Sequence, residues 1–201
     1  MHPARSFRWE SRDELLALVA EVSFSNIFVC GAGGPAVVHT PVVVEGPDRL
    51  RFHVSRSNRA AASLDGARAL LSCLGPDAYI SPDWYGSDDQ VPTWNYLAVE
   101  AEGPLRRLDD AELATLLDRL SAEQEARLAP KPPWTREKMS PGLFEGMLKG
   151  IIGFEMRIED LRGTRKLGQN KKPAEIEGAA LGLEGSGRPE VAELMRRETR
   201  R

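Results

Sequence analysis

From Phe24 to Ser55 the chain offers three apolar, β-branched runs with no room for a helix between them. Phe24 to Cys30 closes on Gly31-Ala32-Gly33-Gly34, and Ala36 to Val44 closes on Glu45-Gly46-Pro47-Asp48. In the third run Leu50, Phe52 and Val54 alternate with Arg51, His53 and Ser55. A side-chain period of two marks a half-buried strand. Turns this short permit only antiparallel neighbours, because a parallel pair needs a crossover of about a dozen residues. The pattern predicts an antiparallel meander and excludes a doubly wound parallel sheet.

The rest of the chain adds strands and helices around that meander. Ser11-Arg12-Asp13-Glu14 has the form of a capping box and opens a helix to about Val22. Asn58 to Leu64 reads as a short helix, and Ala67 to Leu74 as a strand. Trp94 to Glu102 is a further strand, resumed by Leu105 to Leu108 after Gly103-Pro104. Asp109 starts a helix with Glu112 three residues on and a stripe of Leu113, Leu116, Leu117 and Leu120. Residues 129–134 form a stiff, proline-rich link, and Ser140-Pro141 opens a helix bearing Leu143, Phe144, Met147 and Leu148. Ile151 to Leu161 is the last long strand, and a final helix starts at Pro189. The fold class expected is mainly β with flanking helices: a six-stranded antiparallel barrel, closed or split. One domain is expected over 1–183, with 184–201 as a basic tail or helix.

Composition removes several classes. The formal charge is −3, and only residues 162–172 and Arg196, Arg197, Arg200 and Arg201 are basic, a poor footprint for nucleic acid. No apolar run approaches the ~20 residues that span a bilayer. The start of the chain lacks the apolar core of a signal peptide, and Cys30 and Cys73 have no ligand spacing, so a cytoplasmic, reduced protein is expected. With only His2, His39 and His53 a histidine-rich metal site is nearly excluded, and no serine-hydrolase, zincin or P-loop motif is present.

Four segments could carry chemistry. All three tyrosines and two of the four tryptophans lie between Gly75 and Tyr96, which prolines at 76, 82 and 92 keep from being one helix. This stretch is either the wall of a flat ligand's site or a core loop. Trp94 and Trp84 are the aromatics expected at a ligand, Tyr79 and Tyr96 those expected in the core. His53-Val54-Ser55-Arg56-Ser57-Asn58 passes from strand to helix, where hydroxyls, a guanidinium and backbone N–H groups can hold phosphate; alternatively Ser57 or Asn58 is simply an N-cap. His39-Thr40-Pro41 places a histidine in an edge-like strand, as a ligand-facing group, a haem ligand or a structural residue. Arg165 to Lys172 is a basic loop, either solvated or a clamp on phosphate or a partner chain.

Taken together, these segments resemble the PaiB-type group of FMN-binding split-barrel proteins, often described as negative transcriptional regulators. The resemblance runs from about Arg12 to Leu183 and rests on His39 to Pro41, HVSRSN at 53–58, GPDAYISPDWY at 75–85, VPTWNY at 91–96, GFE at 153–155 and KLGQN at 166–170. The chain departs from the group with Ser55, Ser57 and Arg59 in place of Ala, Ala and Pro, with Gly168 in place of Ser, and with Gln124-Glu125 in place of His-Glu. The resemblance implies a homodimer with FMN between subunits. His39, Thr40, Pro41, His53 and Ser55 would line the ring and ribityl region. Arg56, Ser57 and Asn58 would hold the phosphate, with Trp84, Thr93, Trp94 and Asn95 along the flavin. Lys166, Gln169 and Asn170 would close the site. It also implies a flavin-dependent oxidoreductase or redox sensor, a repressor acting through DNA or a partner, or a haem protein with His53 or His39 as axial ligand.

Overall fold

The computed structural model describes residues 2–200. In chain order its elements are β1 (Arg8–Trp9), α1 (Arg12–Val22), β2 (Phe24–Gly31), β3 (Gly34–Glu45), β4 (Arg49–Ser55), β5 (Arg68–Ile80), β6 (Thr93–Arg107), α2 (Asp110–Ala126), α3 (Leu143–Leu148), β7 (Ile151–Arg157), β8 (Asp160–Lys166), α4 (Pro173–Gly185) and α5 (Pro189–Thr199). They fall into two compact units. The meander unit comprises Arg12–Cys73 and Glu100–Leu161; the carboxy-terminal unit comprises the residues up to Ser11, Leu74–Val99 and the residues from Arg162 onward.

In the meander unit β2 pairs with β3 from Phe24↔Pro41 to Gly31↔Gly34, and β3 pairs with β4 through Val43↔Arg51, both antiparallel as expected. β2 also pairs with β5, and β4 with β7, where Phe52 faces Phe154. β5 neighbours β6, and a short β6–β7 ladder around Leu105↔Met156 closes the order into a ring of six. This is the split-barrel class. Alternation sends Ile27, Val38, Val42, Leu50, Phe52, Leu71, Phe154 and Met156 to the buried face. The rings of Phe52 and Phe154 stack at 5.8 Å, and each such side chain contributes about 1.5–3 kcal/mol on burial.

The other face of β3 is covered by α2. Its N-terminus is a true capping box: the Asp109 carboxylate accepts from Glu112 N at 2.8 Å, and Asp109 N donates to Glu112 Oε2 at 3.1 Å. Leu113 and Leu116 then pack on Val43 and Leu108 as a second apolar cluster. Beside it lies an ionic group. Glu155 accepts from Arg51 Nε at 2.8 Å and from Arg106 Nη2 at 2.9 Å, while Arg106 also holds both oxygens of Glu112.

Several sequence expectations are corrected. The helix expected over 58–64 reduces to one 3-10 turn at Ala61–Ser63, because Asn58 Oδ1 takes Ala60 N at 2.9 Å and curls the chain locally. β5 and β6 run unbroken through Gly75-Pro76 and Gly103-Pro104. The strand expected over 151–161 splits into β7 and β8, since Ile158 N and Glu159 N donate to Asp48 O and Glu102 O. α3 starts at Leu143 behind Gly142, whose φ of 77° suits glycine, rather than at Ser140-Pro141.

In the carboxy-terminal unit the order is β1-β8-β6-β5, with β1 and β8 antiparallel through Arg8↔Thr164. α4 was not anticipated: Pro173 opens it, Glu175 accepts from Lys172 N at 2.8 Å, and Ile176, Ala179, Ala180 and Leu183 form its buried stripe. α5 adds Val191, Ala192 and Met195, and Arg196 ties the pair by bonding Glu177 and Glu184. The turn at Pro82–Tyr85 docks on α4 because two helix positions are glycine. A Cβ at Gly178 would stand 2.2 Å from Trp84 O, and one at Gly182 would stand 2.3 Å from the Trp84 ring.

Candidate cofactor site

Strand alternation builds one continuous outer face on the meander unit. Phe24, Asn26 and Phe28 of β2 stand opposite Pro41, His39 and Val37 of β3. Leu70 and Ser72 of β5 flank Phe28 and Asn26. On β4 the same face carries His53 and Ser55, opposite Gly153 and Ile151 of β7. The face is apolar and open at its β2 end, with Phe24 61% and Phe28 43% exposed. Of the residues picked out in the sequence, His39, Pro41, His53 and Ser55 are thus brought onto one surface. Thr40 is not: it points to the buried side, and its hydroxyl donates to His53 O at 2.7 Å.

The loop that leaves β4 is a compact polar knot. The hydroxyls of Ser55 and Ser57 lie 2.8 Å apart, and Asn58 N donates to Ser55 O at 2.9 Å. Arg56 is anchored through Nε to Lys149 O at 2.9 Å and through Nη2 to Ile151 O at 3.3 Å, which leaves Nη1 without a described partner. A groove of about 940 Å³ opens beside it, bringing Arg56, Lys149 and Arg136 together with Asp110 and Glu145. Two hydroxyls, a fixed guanidinium and an exposed ammonium are a donor set suited to a phosphate.

The two histidines differ in chemistry. His39 Nδ1 donates to Asn26 Oδ1 at 2.6 Å, which fixes the ring and leaves Nε2 as the nitrogen that can meet a ligand. That is the arrangement of a ligating imidazole, whose second nitrogen is normally held by an acceptor. His53 lacks it: its Nδ1 is buried without a partner, and burial pushes its pKa down, so the ring is neutral at neutral pH. On this ground His39 suits a haem iron better than His53. Among the described residues no three His, Cys, Asp or Glu side chains converge as a metal site would require.

The remaining sequence candidates lie in the carboxy-terminal unit. Lys166 Nζ donates to Thr93 Oγ1 and to Trp94 O, and burial, then the nearby Lys171, holds its pKa below the usual lysine value. Gln169 staples its own loop, accepting from Leu167 N at 2.8 Å and donating to Arg165 O at 2.6 Å. Asn95 is buried and bonds Met195 Sδ. Trp84 is taken up by α4. Trp94 and Asn170 are exposed. Tyr79, expected in the core, is 46% exposed and meets Trp94 edge-on at 6.2 Å; Tyr85 is the tyrosine that is buried.

Sequence reading missed Arg136 and Lys149. The signal was faint: Lys149 follows the α3 stripe by one residue, and only the loop after β4 makes its position meaningful.

A split barrel with an open sheet face and a phosphate-suited loop at its edge belongs to the class of flavin-binding split-barrel folds. Residues 1–160 match the family described as "Putative FMN-binding domain". The chain is 31% identical over 202 residues to Protease synthase and sporulation protein PAI 2 of Bacillus subtilis (strain 168), covering 97% of this chain and 96% of that one. It therefore belongs to this PaiB-type, FMN-binding family. Among solved structures it is similar to the FAD and heme binding protein from Mycobacterium smegmatis, with a TM-score of 0.60 and 18% identity over 79% of this chain and 73% of that one. It is also similar to the flavocytochrome Anf3 from Azotobacter vinelandii, with a TM-score of 0.57 and 18% identity over 82% of this chain and 72% of that one. At these identities the structures establish the fold.

Proposed function

We propose that the protein is a redox flavoprotein that holds FMN on the outer face of the meander unit. The observation that carries this reading is the Ser55-to-Asn58 loop, with Arg56 fixed by two backbone carbonyls and one guanidinium nitrogen still to be used. Ser55, Arg56 and Ser57, with Lys149 beside Arg56, would hold the phosphate. Pro41, His39 and His53 offer the flat, partly apolar surface that an isoalloxazine ring requires. FMN would supply hydride or single-electron transfer. The protein would orient the ring and keep His53 neutral beside it. Removing the guanidinium is the direct test. Arg56→Ala weakens FMN at least tenfold in a fluorescence-quenching titration, about 1.4 kcal/mol, whereas Arg197→Ala, at an exposed ion pair, leaves it unchanged. Equal affinity in both variants would remove the phosphate assignment.

The same reading includes a homodimer built on the open face of β2, β3 and β5. Exposed Phe24 and Phe28 beside Val37 and Leu70 support it, because an apolar patch of this kind is costly to leave in water. Sedimentation equilibrium is expected to give twice the chain mass for the wild type and the single chain mass for Phe28→Glu; a monomeric wild type at micromolar concentration would end the proposal. The structure gives less to a DNA-binding role. In α5, Arg196 and Arg197 are each ion-paired with glutamates, which leaves little charge for a phosphate backbone. No described helix is long and apolar enough to cross a membrane. The unpaired Cys30 and Cys73 support a reducing, cytoplasmic setting.

A further inference from the structure

The meander unit holds a second cleft, of about 360 Å³, walled by Leu117, Trp134, Phe144, Met147, Leu148 and Ile151. Its size is at the lower end of small-molecule sites, roughly 300–1,000 Å³. Trp134 and Met147 are themselves exposed, so an occupant would bury protein surface as well as its own. The polar lining is sparse: His53, Ser121 and one ion pair, Arg136 with Asp118 at 3.3 Å. That pair cancels, so the lining offers no net charge to attract an ion. Arg136 also lies over the Phe144 ring at 5.0 Å, which holds the guanidinium against the wall.

The state of His53 narrows the ligand further. Burial favours its neutral ring. Its Nδ1 is sealed from solvent and has no partner. A proton there would be an orphaned donor, which is rarer and costlier than a bare acceptor. The proton therefore sits on Nε2, and His53 has a single N–H to offer. An apolar slot with few donors, His53 Nε2–H among them, and no net charge selects a flat, uncharged body with an acceptor oxygen.

We propose that this cleft binds an uncharged aromatic molecule of one or two fused rings bearing a carbonyl oxygen, with that oxygen accepting from His53 Nε2–H. Phe144 and Trp134 flank the rings, and Leu148 and Ile151 form the floor. The cleft shares His53 with the proposed flavin surface but uses none of its other residues, and its test is run on flavin-free protein, so either can fail alone.

Calorimetric titration with three two-ring probes tests it: tetralone, tetralin, which lacks the carbonyl, and naphthoate, which carries a charge. On the wild type, tetralone binds about tenfold more tightly than either, as one buried hydrogen bond allows. His53→Phe reduces tetralone to the tetralin level and leaves tetralin unchanged. Leu148→Trp, which fills the cleft, abolishes binding of both. Tetralone binding no tighter than tetralin on the wild type overturns the proposal without any variant. So does naphthoate binding most tightly, or tetralone affinity that survives both substitutions.

Discussion

Gly103→Ala is expected to destabilise the protein by about 3 kcal/mol, lowering the thermal unfolding midpoint by roughly 6–12 °C for a chain of this length. The cause is a backbone contact. A Cβ at Gly103 would stand 1.8 Å from Arg157 O, where β6 meets the end of β7. A clash with a carbonyl cannot be relieved by turning a side chain, so one of the two strands must shift. That shift would fall on the short β6–β7 ladder, Leu105↔Met156 to Arg107↔Phe154, which closes the ring. Gly33→Ala is the matched control, because a Cβ there meets nothing within 4 Å. Differential scanning calorimetry of the two variants separates a steric cause from a general cost of replacing glycine.

The second large effect concerns Glu155. Its side chain is only 9% exposed and serves two arginines at once, Arg51 at 2.8 Å and Arg106 at 2.9 Å. Glu155→Gln keeps the shape but removes the charge and turns one acceptor into a donor facing guanidinium groups. The expected loss is about 2 kcal/mol at pH 7, read as a lower urea midpoint with an unchanged slope. The same group sets a pH dependence. Burial pushes the Glu155 carboxyl up, but the hydrogen bonds from Arg51 and Arg106 outweigh it and hold its pKa below the usual value. Glu112, held by Arg106 and then by Asp109 N, is lowered to about 2. Carboxylates whose folded pKa is depressed stabilise the fold above their unfolded pKa. They lose that contribution as pH falls through the folded value. Wild-type stability therefore declines from about pH 5 downward toward pH 2, and Glu155→Gln shows a shallower decline. An unchanged acid profile would mean that the network adds no net stability.

The meander was legible because it rests on local rules: period-two alternation from Leu50 to Ser55, and turns too short for any other pairing. The capping box at Asp109 and Glu112 was legible for the same reason. What escaped depended on distant partners. The break between β7 and β8 arises because Asp48 O and Glu102 O capture Ile158 N and Glu159 N, carbonyls far away in sequence. α4 carries Gly178 and Gly182, residues of low helix propensity, and only Trp84, far away in sequence, explains the space they leave. At the candidate site, His39, Pro41, His53 and Ser55 were named from sequence, and the structure sets them on one face. Thr40 was named with them, but strand alternation turns it to the opposite side. Lys149 could not be found from its own neighbourhood, since it matters only through Arg56.

FMN binding on the outer face of the meander unit is tested most directly by the visible absorption spectrum of the protein after incubation with FMN and haem together, followed by desalting. The expected result is the two visible bands of a bound flavin, quenched flavin fluorescence and about one FMN per chain. Protein that emerges colourless from excess FMN would contradict it, as would a Soret band in place of the flavin bands.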